Sequence, residues 1–294
     1  MIDAEGLRAR ARVLAAVRRY LEQNGYLEVP TPVLVPSPGL EEYLFAVSAA
    51  DGALRTSPEF ALKRVVAAGL GRVYEIGPCV RDREWGRWHA REFTMLEWYR
   101  AGAEPSDVLS EIAGVVEAAA EALGRSPPEF RTVTWREAML SATGIDPAAA
   151  TASDLSADDT GWDDAATRRW VSEVERTLTG GVFVVDWPAS QAALARVYDG
   201  EWPIARRFEA YLNGVELANG FFELIDGDAL HARFAASASA RAAAGEVPHP
   251  TDLGFVAATR VLPRATGVAL GVDRLVAVLC GWDGIAAGRV DTWN

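Results

Sequence analysis

The chain has 294 residues, half of them hydrophobic, enough to bury a sizeable core in one large domain or two modest ones. Its net charge of −12 argues against broad contact with a nucleic-acid backbone, while two cysteines and three histidines (His89, His231, His249) exclude a disulfide framework and disfavour a Cys/His zinc site. There is neither a basic leader before an apolar run nor an apolar stretch of about 18 residues, so a cytoplasmic protein is expected, with no membrane partner.

Leu7, Val13, Leu14, Val17 and Leu21 recur at helical spacing and predict a helix from about Asp3 to Asn24, stopped by Gly25; an extended strand follows in YLEVPTPVLVP. SPEFALKRVVAAG reads as a short helix. It carries Lys63, the only lysine of the chain, so a GK[ST] phosphate loop is excluded and any phosphate here must be held by arginine. RVYEIGPCV and EFTMLEWYR read as strands on either side of the loop RDREWGRWHAR. A long helix is expected from Pro105 to Gly124, then an acidic, weakly periodic surface insertion around 146–170 with room for one helix. GVFVVDWP is a strand, an Ala-rich helix lies around Leu230 to Ala244, and GVALGVDRLVAVLCG runs as a strand through Gly271 into a buried helix. No internal repeat or domain boundary stands out.

RRFEAYLNGVELANGFFEL holds three glutamates seven residues apart, Glu209, Glu216 and Glu223. Asn213-Gly214 between alternating apolar residues signals a two-residue hairpin turn. Leu212 then faces Val215, Tyr211 faces Glu216 and Ala210 faces Leu217. Phe208, Ala210, Leu212, Val215 and Leu217 share an apolar face, and Glu209, Tyr211 and Glu216 the opposite one. Glu209 and Glu216 become diagonal neighbours with alpha carbons roughly 7–8 Å apart, unfavourable unless a cation lies between them. A hard ion such as Mg2+ suits the oxygens; a solvated polar face is the ordinary alternative.

The loop from Arg81 to Arg91 packs Arg81, Arg83, Arg87, Arg91 and His89 into an otherwise acidic chain. Guanidinium forks bind phosphate oxygens bidentately, although surface ion pairing is a common use of such residues. Phe93 just beyond the loop offers a ring on which a base can stack. Arg274 falls near the start of the last helix, where the dipole disfavours a cation, which points to an anionic ligand, and Gly271 leaves the backbone open to a nucleotide.

YLEVPTPVL, RWHAREFTMLEWY and GVALGVDR resemble the three signature motifs of class II aminoacyl-tRNA synthetases, the lysyl branch most of all. TSPEFALKR, EFTMLEWYR, PASQAAL, GVELANGF and TGVALGVDR are most similar to the free-standing lysyl-tRNA synthetase paralogues that modify elongation factor P, and the resemblance covers nearly the whole chain. Lysyl-tRNA synthetases carry an N-terminal anticodon-binding barrel of roughly a hundred residues, whereas this chain opens on the helix of the first motif. A single catalytic domain over 1–294 is therefore expected, with no anticodon-binding domain and no tRNA partner.

The resemblance implies an α+β fold, an antiparallel six- or seven-stranded sheet flanked by helices, and a homodimer joined through the first motif near Pro32. It implies ATP and Mg2+ as cofactors, lysine or β-lysine as substrate and elongation factor P as acceptor. Arg81 would hold the α-phosphate, Phe93 stack on adenine and Arg274 hold the far end of the triphosphate, with Asp82, Arg83, Glu84, His89, Ala90, Leu217 and Gly271 around the nucleotide. Glu209 and Glu216 would bind Mg2+. Glu223 would take the side-chain ammonium of the amino acid, with Ser57, Pro58, Glu59, Tyr99, Asn219, Phe221 and Ala269 shaping its pocket. Two positions depart from the family. Arg83 stands where the second motif has an ATP-contacting glutamate, with Glu84 as a substitute one position on, and Ala90 replaces an asparagine near ATP. An amide-forming ligase is the leading reading; the same adenylation with a carrier protein or small amine as acceptor, and a non-catalytic regulatory subunit, are the alternatives.

Overall fold

The computed structural model describes residues 3–40, 43–156 and 161–290. Helix α1 (Ala4–Gln23) starts at Asp3, whose carboxylate accepts from the N–H groups of Glu5 and Gly6, and it buries Val13, Val17 and Leu21 along one stripe. The strand expected next is broken into β1 (Leu27–Glu28) and β2 (Leu34–Val35), because Pro30 and Pro32 lie between them and cannot donate to a ladder. β2 forms a small separate sheet with β3 (Ser48–Ala49) and β4 (Gly52–Leu54). Then come α2 (Glu59–Ala67), β5 (Arg72–Val80), β6 (Glu92–Ala101) and α3 (Pro105–Ala122), close to the ranges the periodicity predicts.

β7 (Phe130–Thr134) and α4 (Trp135–Thr143) were not foreseen, and they lead into α5 (Ala152–Leu155) and α6 (Trp162–Arg169), which runs into a π turn at Trp170–Val174. The expected surface insertion at 146–170 is thus more than a surface feature, although residues 157–160 lie outside the described residues. Leu155, Ala165, Ala166 and Trp170 are buried, and Trp170 stacks on Trp135 at 5.5 Å and meets Trp187 at 5.2 Å. Large aromatic rings spaced far apart in sequence, rather than a regular helical stripe, make this second core.

β8 (Gly181–Pro188), β9 (Val197–Tyr198), β10 (Ile204–Leu212) and β11 (Val215–Phe222) follow, then α7 (Gly227–Ala243), α8 (Leu253–Thr259), β12 (Ala265–Gly271) and α9 (Val272–Cys280). The main sheet runs β1-β5-β6-β12-β11-β10-β8-β7 with β9 beside β10, antiparallel except for β1/β5 and β7/β8 at its edges. It is the expected α+β arrangement with more strands than six or seven, since two-residue strands such as β1 and β9 are too short to show alternation. On one face, α1, α3 and α9 cover Leu96, Trp98, Ala210, Leu212, Val268 and Leu270. The opposite face of β6, β12 and β11 is left to form a cleft.

Candidate active site

The floor of that cleft follows from strand alternation. Leu96 and Trp98 of β6 point into the core, so Phe93, Met95, Glu97 and Tyr99 line the cleft with Gly267, Ala269 and Gly271 of β12. The cleft encloses about 440 Å3, within the roughly 300–1,000 Å3 of small-molecule sites.

The hairpin carries a correction. Leu212 faces Val215 and Tyr211 faces Glu216 as expected, but Ala210 then faces Ala218 rather than Leu217, a bulge that sets Glu216 and Leu217 together opposite Tyr211. Strict alternation from Glu216 would carry residues 218, 220 and 222 onto the carboxylate face. The bulge instead sends Ala218 into the core and turns Asn219, opposite Glu209, and Phe221 into the cleft.

One end of the cleft is cationic. Arg81 is anchored by its Nε to the Thr56 carbonyl at 3.2 Å, lies 3.5 Å from Glu84 and places its guanidinium 5.2 Å from the Phe93 ring centroid. Arg274, on the first turn of α9, donates to the carbonyls of Trp88 at 3.1 Å and Glu216 at 3.0 Å, and approaches His89 Nε2 at 2.7 Å. Burial, then the neighbouring Arg274 charge, holds His89 below its ordinary pKa. At Gly271 a Cβ would meet only the Arg274 side chain, at ordinary contact distance. The protein's own packing does not demand this glycine; a ligand against the backbone would.

Leu217, Glu84, His89 and Ala90 line the cleft, and Glu84 stands beside Arg81. Asp82 and Arg83 do not line it. Asp82 pairs with Arg91 at the surface. Arg83 takes a left-handed backbone (φ 63°) that turns its side chain out to Glu246, at 2.7 Å, and over the Phe45 ring at 3.9 Å.

Glu216 reaches the cleft with its carboxylate a third exposed, whereas Glu209 lies beneath it, 3% exposed. Arg207 donates to Glu209 Oε1 at 2.6 Å and the Tyr211 hydroxyl to Oε2 at 2.5 Å, and the hydroxyl accepts from Trp170 Nε1 at 3.0 Å. Burial pushes Glu209 up to about 7, with Arg207 opposing and Glu216 adding to the rise. A third carboxylate, Glu175, lies 3.4 Å from the same hydroxyl and is pushed up to about 7 by burial and then by Glu216 and Glu209. It went unseen in the sequence because the π turn that brings it there has no local pattern. Among the described residues no three His, Cys, Asp or Glu side chains converge on one metal position. Two carboxylates suit Mg2+, which takes most of its ligands from water and phosphate.

The other end is anionic and deeper. Ser57 and Tyr99 donate to Glu97 at 2.6 Å each, and Glu59 lies at the N-terminus of α2 with Pro58 beside it in the wall. Glu97 is 1% exposed and pushed up to about 7, by burial and then by Glu59. It was missed in the sequence, although period-two spacing from Phe93 to Tyr99 singles it out. Glu223 lies just behind the wall, 1% exposed and pushed up to about 8 by burial against the lowering pull of Lys63, whose ammonium is 2.5 Å away.

Both carboxyl values lie above the ordinary range near 4.3, so the protonated forms favour the folded state. That stability is fully present below the ordinary value and is lost as the pH rises through about 7 to 8. The unliganded melting temperature is expected to fall from about pH 5 to about pH 8 and to level off above it. A ligand bearing ammonium groups should expel protons at pH 7, read by calorimetry in buffers of different ionisation enthalpy; absence of proton release would contradict these values.

A class II catalytic sheet with an arginine-lined end and a carboxylate-lined end to its cleft is what the fold defines. Residues 4–287 match the family of class II tRNA synthetases (D, K and N), and the chain belongs to it. It is 36% identical over 302 residues to the elongation factor P–(R)-beta-lysine ligase of Yersinia pestis (strain Pestoides F), covering 91% of this chain and 88% of that protein. The protein of the same name from Yersinia pseudotuberculosis serotype O:1b (strain IP 31758) matches to the same extent. No helix among the described residues is long and apolar enough to cross a membrane.

Proposed function

We propose that the protein activates lysine or (R)-β-lysine with ATP as an aminoacyl-adenylate and transfers it to a lysine ε-amino group of elongation factor P in the cytoplasm. The polarity of the cleft carries the reading: Arg81 and Arg274 stand at one end, Glu59, Glu97 and Glu223 at the other, and uncharged Gly267 and Ala269 floor the space between. A triphosphate and a diammonium chain fit opposite ends of such a cleft, which brings the carboxylate of the amino acid to the α-phosphate. The acceptor and the β-lysine come from what the Yersinia relatives are named for.

The substrate carboxylate attacks the α-phosphorus and pyrophosphate leaves. The acceptor amine then attacks the adenylate carbonyl carbon, loses a proton and expels AMP. No side-chain nucleophile is needed; Arg81 holds the charge that develops on the α-phosphate, Phe93 and Arg274 orient the nucleotide, and the buried carboxylates fix the amine. Mg2+ held by Glu216 and Glu209 would neutralise phosphate charge. Leu27, Val33 and Leu34 are exposed along the first motif, which supports a homodimer through that segment.

ATP–pyrophosphate exchange with a panel of amino acids tests the reading: lysine or β-lysine should support exchange, and modified elongation factor P should gain one substrate residue by mass. Exchange with neither diamino acid would overturn it. tRNA is expected not to be charged, since a net charge of −12 repels a polyanion; lysyl-tRNA formed at a catalytic rate would contradict this.

A further inference from the structure

Among 29 cationic side chains Lys63 is the single lysine, and it occupies a place that a guanidinium would not fill in the same way. It is 3% exposed, with Nζ 2.6 Å from Glu59 Oε1 and 2.5 Å from Glu223 Oε2, and with the rings of Tyr99 and Phe255 at 5.7 and 5.9 Å. A compact ammonium sits between two carboxylates in a space closed by two rings; the broad planar fork of arginine would have to displace one of them. Burial alone would lower the Lys63 pKa, but Glu223 and Glu59 more than reverse this, so the side chain stays charged.

Lys63 does not line the cleft. It works from behind the wall on groups that face the ligand. It ion-pairs with Glu223 through Oε2; neither oxygen of that carboxylate has a hydrogen-bond partner, and Oε1 lacks the ion pair as well. That oxygen lies against Gly267, where a Cβ would run into both the Tyr99 ring and Glu223 Oε1. Gly267 is part of the cleft floor, and its missing side chain lets the Tyr99 ring and the orphaned oxygen pack directly against that floor, next to the ligand space. A buried acceptor without a partner is costly, and a donor from the ligand would relieve it.

We propose, on the basis of the diamino-acid reading above, that Lys63 is a positioning residue that sets the charge of the amine pocket. It orients Glu223 by one oxygen and leaves the other for the substrate. It also reduces three carboxylates, half-buried Glu59 and buried Glu97 and Glu223, to a deficit of two positive charges, the number carried by the ammonium groups of lysine or β-lysine. Two ammonium groups can ion-pair with both remaining carboxyls, whereas with a monoamino acid one of them stays protonated and makes no ion pair, so the preference for diamino acids is built into Lys63 as much as into the glutamates.

The test is a double-mutant cycle of Lys63→Met and Glu223→Gln, with amino-acid and ATP KM measured separately by exchange. In Lys63→Met the KM for the diamino acid should rise about thirtyfold or more with ATP KM within about threefold, and in the Glu223→Gln background the same substitution should change the amino-acid KM by less than about threefold, since residues acting through one another are not additive. Additive effects, or an unchanged amino-acid KM in Lys63→Met, would overturn the proposal. Lys63→Arg covers the case in which the methionine variant does not fold: it keeps the charge but not the shape and should raise the amino-acid KM alone by about three- to tenfold, whereas a wild-type value would remove the positioning role. Exchange by the wild type only with monoamino acids would overturn both this proposal and the reading beneath it; wild-type exchange with a diamino acid and additive variants would overturn this proposal alone.

Discussion

Glu216→Gln and Glu209→Gln are each expected to slow adenylate formation by about a thousandfold or more, the scale on which removing an electrostatic partner of a developing charge acts. Glu216 reaches the cleft and is tied to Arg274 through its carbonyl and, at 3.5 Å, its carboxylate, so on the proposed reading it would join the metal to the arginine that holds the triphosphate. Glu209 is buried beneath it and already held by Arg207 and Tyr211, so glutamine there keeps the shape and most of the hydrogen bonding but loses the charge. Raising Mg2+ should restore part of the activity of Glu216→Gln, the more exposed of the two. Near wild-type exchange in both variants at ordinary Mg2+ would remove the metal assignment.

Glu223→Gln should lower exchange with lysine or β-lysine at least about a hundredfold, roughly 3 kcal/mol, while ATP binding stays within a few-fold. The substitution leaves Lys63 ion-paired with Glu59 and takes a charge from beside it. Were Glu223 a solvated residue between strand and helix, neither quantity would change; its 1% exposure makes that outcome incompatible with the fold. Were it a third metal ligand, ATP binding would fall with exchange. Measuring both quantities separates the three roles.

Much of the scaffold was legible in the sequence because its signals are local. β5 and β8 occupy the ranges their alternation and turn residues predict, α1 starts at its Asp3 cap, and the turn at Asn213-Gly214 needs positive φ at both residues, which these two supply. Arg81 and Phe93, which line the cleft, were picked out in the sequence too, since arginines crowded beside an aromatic ring are a compositional signal that needs no tertiary information. Arg83 and Asp82 were misplaced because the left-handed backbone at Arg83 turns the loop outward, and nothing in the local residue types demands that conformation.

The sequence by itself determined the long helices and the longer strands with clear alternation, and the chemistry available: arginines, acidic side chains and a single lysine. Only the tertiary structure decided how these meet. The bulge after Tyr211 turns Asn219 and Phe221 into the cleft, the π turn after α6 brings Glu175 to Tyr211, and the sheet sets Glu223 against Lys63 from 160 positions earlier in the chain. The physical reason is range. Periodicity and capping are settled by neighbours within a turn or a strand pair, while a buried charge is matched by whatever the packed core brings within hydrogen-bond distance, and that depends on the whole chain at once.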